Sequence, residues 1–85
     1  MKKYLISPNF YYTKTRDRIG GTVRTDVFRT KDNFYQAYSY YHQDEDQIIT
    51  GYFESFDEVE AIKRSRKDLR KVWLEYQTEL ATEMA

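Results

Sequence analysis

The stretch FDEVEAIKRSRKDLRKVWLEYQTELATEM, from Phe56 to Met84, decides the fold. Within it Val59, Ile62, Leu69, Trp73, Tyr76 and Leu80 follow one another by threes, fours and sevens, with Arg66 the only break, and this spacing predicts one amphipathic helix. Ser55 just ahead of it, with Glu58 three residues later, has the form of a capping box and places the start. No Gly or Pro occurs between Asp57 and Glu83, and no C-cap signal follows, so the far end is expected to fray.

Roughly 27 helical residues span about 40 Å, whereas a strand of eight covers only about 26 Å. A sheet of such strands leaves the end of the stripe uncovered. The residues there, Trp73, Tyr76 and Leu80 with Met84, are expected to meet a second copy of the chain, making a homodimer. Docking of another partner, or cover from a loop or the N-terminal segment, are the alternatives.

Outward from the helix toward the N-terminus the chain reads as strands. Ile48, Ile49, Tyr52 and Phe53 make a strand of 47–54, with Gly51 at a bulge or a close approach. Residues 42–47 read as an acidic loop. Phe34, Ala37, Tyr38 and Tyr41 also fit a short helical stripe, but five of the eight residues from Phe34 to Tyr41 are Phe or Tyr, which favours a strand. Lys31-Asp32-Asn33 is turn chemistry after the alternating strand Val23 to Thr30. Lys14 to Thr22 reads as a turn around Gly20-Gly21, and Lys2 to Thr13 as an edge strand or a strand broken at Pro8. Strands first and a helix last predict an α+β domain, an antiparallel meander of three to four strands within residues 2–54 and one helix over about 56–83 packed on one face.

An 85-residue chain is one small domain that buries a modest share of its surface, so each large side chain counts. Nine Tyr, five Phe and one Trp are expected to supply the core that few Leu or Val provide, with the excess of Tyr also pointing to surfaces. Without Cys there is neither disulfide nor thiolate metal site, and the first residues lack the apolar run of a signal peptide, which favours a reducing, cytoplasmic setting. No stretch has the apolar length of a membrane span. The net charge of zero hides segregation: residues 1–31, 32–60, 61–71 and 72–85 carry +6, −8, +5 and −3.

Chemistry is sparse. His42 beside Asp44, Glu45 and Asp46 is the one group resembling a metal or acid/base site, but neighbours in a loop rarely converge on one ion, and a solvated acidic loop explains it. The glycine pair lacks the GK[ST] of a phosphate loop, and no nucleophile and base stand at a recognisable spacing. Neither a catalytic residue nor a metal or cofactor is expected, and the chain does not read as an enzyme.

Two surfaces remain. Tyr41, Asp44, Glu45, Asp46, Tyr52, Glu54, Asp57 and Glu58 mix carboxylates with aromatic anchors, the pattern of a surface that competes for a basic groove on another protein. Lys63, Arg66, Lys67 and Arg70, with Arg64 and Lys71, fall along one flank of the predicted helix and offer cations to phosphates, while exposed Tyr from the sheet offers rings to unpaired bases. Pairing of that flank with the chain's own acidic stretch is the competing explanation, and a pI near 6.6 is unlike most nucleic-acid modules. In size, Tyr content and charge segregation the chain resembles the small proteins that bacteriophages and mobile elements encode to inhibit host machinery, anti-CRISPR proteins among them; the likeness covers no alignable motif and carries over no residue. The expectation is a non-catalytic module that occupies a surface of a host nucleic-acid-processing complex, with direct nucleic-acid binding through the helix flank as the alternative.

Overall fold

The computed structural model describes residues 2–42 and 46–84, with side chains as far as Thr82. Five strands, β1 (Tyr4–Ser7), β2 (Phe10–Asp17), β3 (Gly21–Arg29), β4 (Tyr35–His42) and β5 (Ile48–Ser55), precede one helix, α1 (Glu58–Met84). They pair in chain order, each neighbour antiparallel, to form a meander with α1 across one face. The α+β meander expected from the sequence is thus observed, with five strands instead of three to four.

The additional strand comes from the N-terminal segment, which folds into a hairpin at Pro8-Asn9, and the register slips between Leu5 and Ser7. Pro8 sits in the turn, where its missing N–H deprives no ladder of a donor. The turn expected over 14–22 shrinks to three residues, because β2 runs on to Asp17. The Gly20 N–H closes the turn on the Asp17 carbonyl at 3.1 Å with Gly20 at φ 98°. The β3–β4 hairpin repeats the device: the Asn33 N–H reaches the Thr30 carbonyl at 3.1 Å, with Asn33 at φ 61°. Each turn thus closes at a left-handed residue, a geometry that suits the twist of the strands. The ambiguous segment 34–41 is strand, since β4 lies between β3 and β5 and its backbone groups are satisfied on both sides.

The helix begins two residues later than the Ser55–Glu58 capping box places it. Asp57 is the cap: its Oδ1 accepts the Glu60 N–H at 3.0 Å and its carbonyl the Ala61 N–H at 3.0 Å. Ser55 Oγ instead accepts the Asp57 N–H at 3.0 Å, and Glu58 pairs with Lys3 at 3.0 Å. A carboxylate outcompetes a hydroxyl here because it also complements the positive end of the helix.

The core is built of small and aliphatic side chains. Val23, Val27, Ala37, Ile49, Ala61, Ile62 and Leu69 are buried, and Tyr11 is the one buried ring among the described residues. The expectation that aromatics supply the core holds only at its margins, where Tyr35, Tyr41, Trp73 and Tyr76 pack against it. Gly51 shows why: a Cβ there would collide with the Ser65 carbonyl and the Leu69 amide, so the helix backbone lies directly on β5. Ala37 and Ser39 on β4, and Ala61 and Ser65 on α1, keep the layers as close, and no ring fits between them. Gly51 marks a close approach, and β5 carries no bulge.

The seam is also polar. Thr13, Thr25, Ser39 and Ser65 are fully buried, and their hydroxyls link Thr25 to Ser39 at 2.9 Å, Ser39 to Ser65 at 2.8 Å and Ser65 to the Ile62 carbonyl at 2.8 Å. Arg66, the break in the stripe, extends over this row. It donates to Thr13 at 3.0 Å, Thr15 at 2.9 Å and Thr25 at 3.2 Å. Val59, assigned to the stripe, is 58 % exposed instead. Toward the far end Trp73 and Tyr76 pack on Val23, Ile49 and Leu69, while Leu74 is 60 % exposed and Leu80 half-exposed.

Candidate functional site

Because strand residues alternate between faces, burying Tyr11, Val23, Val27 and Ala37 under α1 sends their neighbours to the opposite side. Among the described residues no element covers that side. Its rows follow from the register: Phe10, Phe28, Gln36 and Glu54; then Tyr4, Tyr12, Asp26, Tyr38 and Tyr52; then Lys14, Arg24, Tyr40 and Thr50. Seven of the chain's fifteen aromatic residues stand in these rows.

The rings form two runs. Phe10 stacks on Phe28 at 4.3 Å between centroids, Phe28 meets Tyr38 edge-on at 5.8 Å and Tyr38 leans on Tyr52 at 4.7 Å, so one run crosses four strands. Tyr4 stacks on Tyr12 at 4.8 Å, and the Arg24 guanidinium caps the other side of Tyr12 at 4.0 Å. Charges on the face are engaged beside them: Arg24 Nε donates to Asp26 at 2.7 Å, and the Tyr52 hydroxyl donates to Glu54 at 2.7 Å. That hydrogen bond, ahead of burial, pushes the Tyr52 phenol up to about 12. Tyr40 is different. It takes part in no ring stacking or cation–π contact among the described residues and borders a shallow depression with Lys14, Thr22, Arg24 and His42. Burial, then the Asp26 carboxylate, raises its pKa.

The residues expected to bind a partner do not converge. Tyr52 and Glu54 lie on the open face, whereas Tyr41 packs against the core under α1. Asp57 is spent on the helix cap, and Glu58 stands beside Lys3 and the buried Tyr11 hydroxyl, whose pKa burial and Glu58 push upward. Asp46 is exposed, and Asp44 and Glu45 lie outside the described residues.

The six helix cations do not share one flank. Arg66 holds the hydroxyl row, with burial lowering its pKa, and Arg70 pairs with Asp17 at 3.1 Å. Lys63 is exposed. Arg64, Lys67 and Lys71 border a groove on the β5 side with Tyr52, Phe53 and Asp68. There Asp68 accepts the Tyr52 backbone N–H at 3.0 Å and satisfies a donor on the sheet edge. Of the proposed self-association residues, Trp73 and Tyr76 are committed to the chain's own core, and Leu80 stays half-exposed.

Sequence reasoning missed the open face as a unit. Its signal was the shared parity of Phe10, Tyr12, Lys14, Arg24, Asp26 and Phe28, legible once the register is known. Among the described residues no cluster of metal-ligating side chains occurs, and no helix is long and apolar enough to cross a membrane. Set against protein-family models, curated proteins and solved structures, the chain matches none.

Proposed function

We propose that this protein is a non-catalytic binding module whose working surface is the open face of its sheet. The observation that carries this reading is the uncovered run Phe10–Phe28–Tyr38–Tyr52, bordered by Arg24, Asp26 and Glu54. Rings braced against one another lose little freedom on binding, and Tyr with Arg gives large, rigid, amphipathic contacts. Such a face acts by occupying a surface of another macromolecule. A host nucleic-acid-processing complex is the target suggested by the chain's likeness to small phage-type inhibitors. Tyr52 and Glu54 keep the role assigned to them on sequence grounds, and the site is otherwise moved to the sheet.

The test is capture from lysate, with and without nuclease, by the wild type, by Tyr38→Ser with Tyr52→Ser, and by Lys63→Glu with Lys67→Glu. Loss of a captured macromolecule by the first pair alone, with both pairs still melting cooperatively, supports the open face. Loss by the helix pair alone overturns it.

Self-association through the helix end is a second proposal, favoured by the exposed Leu74 and by the half-exposed Leu80, which lies beyond Tyr76, where α1 still packs on the core. Sedimentation of the wild type and of Leu80→Glu should differ twofold in mass; a wild-type monomer at tens of micromolar overturns it.

A further inference from the structure

The open face is not uniform. One end carries the rings that stack or lean on one another. The other end carries Tyr40, without a ring partner among the described residues, in a depression bordered by Lys14, Thr22, Arg24 and His42. Lys14, Arg24 and Tyr40 are register partners on adjacent strands, so two cations and one ring lie within about 10 Å across the sheet. Arg16, two residues along β2 from Lys14, presents a further cation on the same face about 7 Å away.

We propose that this depression takes a phosphate of a single-stranded nucleic acid, with the flanking base laid on the Tyr40 ring. The inference rests on the open face being the binding surface, and it names the occupant's chemistry.

Charge favours that occupant. Though the chain is neutral overall, Lys14 and Arg16 gather at this end beside Arg24, whose charge is shared with Asp26, and the other carboxylate of the rows, Glu54, accepts from Tyr52 farther off. Lys14 and Arg16 have no ion-pair partner among the described residues. Cations repeating along one strand match a polyanion that repeats its charge, and an unstacked ring beside them matches a base free of a pairing partner. Two of the six helix cations are withdrawn from such a role, since Arg66 and Arg70 are turned to Thr13, Thr15 and Asp17.

The experiment is fluorescence anisotropy of labelled single-stranded DNA and RNA of about 20 nucleotides, and of duplex of equal length, at about 50 and 200 mM salt. The expected result is micromolar or tighter binding of single strands, weakening by an order of magnitude or more over that range. Lys14→Glu and Arg16→Glu, both at exposed positions, should each cost about tenfold. Tyr40→Ala should cost about tenfold for the lost stacking. Lys63→Glu with Lys67→Glu should change nothing.

Absence of single-strand binding, wild-type affinity in Lys14→Glu, or loss in the helix pair overturns the inference. If capture still depends on Tyr38 and Tyr52 while no oligonucleotide binds, the open face stands with a protein occupant and the phosphate site falls. If capture and oligonucleotide binding are both indifferent to the face, both readings fall.

Discussion

The two faces of one sheet divide the chain's chemistry in an unusual way. Under α1 lie Val, Ala, Thr, Ser and Gly, with Leu69 and Ile62 descending from the helix and Arg66 satisfied by hydroxyls. On the far side stand the rings, braced in pairs and half-buried by one another with no layer over them among the described residues. The inner face is a closed structural unit in which size is limited by how closely the helix approaches. The outer face holds large apolar area that the fold does not need to bury. Contact area left over by folding is area available for binding, and this is the physical ground for placing function there.

The sharpest way to break this contrast is to attack the inner face. Leu69→Ala, at a fully buried site, is expected to destabilise by about 2–5 kcal/mol in denaturant titrations. A smaller loss would mean that the layers can close over the gap. Arg66→Met keeps the stem and removes the donors to Thr13, Thr15 and Thr25; with three charge-assisted bonds lost at a partly buried position, about 1.5–3 kcal/mol is expected. A neutral result would show the hydroxyl row to be self-sufficient.

The outer face should be far more tolerant. Tyr38→Ala removes the middle of the long run, and its two ring contacts predict a loss of about 1–2 kcal/mol, less than Leu69→Ala, in the same titration. A larger loss would make the rings a second core and weaken the case for a binding surface. Val59→Ser, at a position the helical periodicity places inward, should change stability by less than about 0.5 kcal/mol because the side chain is exposed.

The smallest effect concerns Tyr52. Its phenol, raised from 10.0 to about 12, favours the protonated form in the folded state. The contribution to stability is therefore complete below pH 10 and is lost as pH rises from about 10 toward about 12. Ultraviolet titration should show one tyrosine returning toward 10 in Glu54→Gln. An unchanged profile would mean that the Tyr52–Glu54 bond does not persist in solution.

Legibility followed the range of the interactions involved. The helix and the order of strands were readable, because period and turn residues act locally, whereas Gly51 stood as a bulge or a close approach until the helix was placed on it. The cap was misplaced by two residues, because Ser55 and Asp57 both satisfy the local pattern and only the path of the chain into α1 chooses between them. Asp17 was assigned to a turn because Gly20-Gly21 outweighed the β-forming Thr13 and Thr15. What holds it in β2 is its ion pair with Arg70, 53 residues away in sequence.

Sequence by itself determined that this chain is an antiparallel meander closed by one long helix, since hydrophobic period and turn chemistry are properties of neighbours along the chain. It also determined that rings are abundant and charges segregated. Which rings face the core and which cations remain exposed was decided only in three dimensions. Strand parity fixes two faces without naming the inner one, and the choice fell to the pairing of small residues on β4, β5 and α1. Their fit lets the helix backbone settle onto Gly51, draws Arg66 inward and leaves Tyr38, Tyr40 and Tyr52 outside.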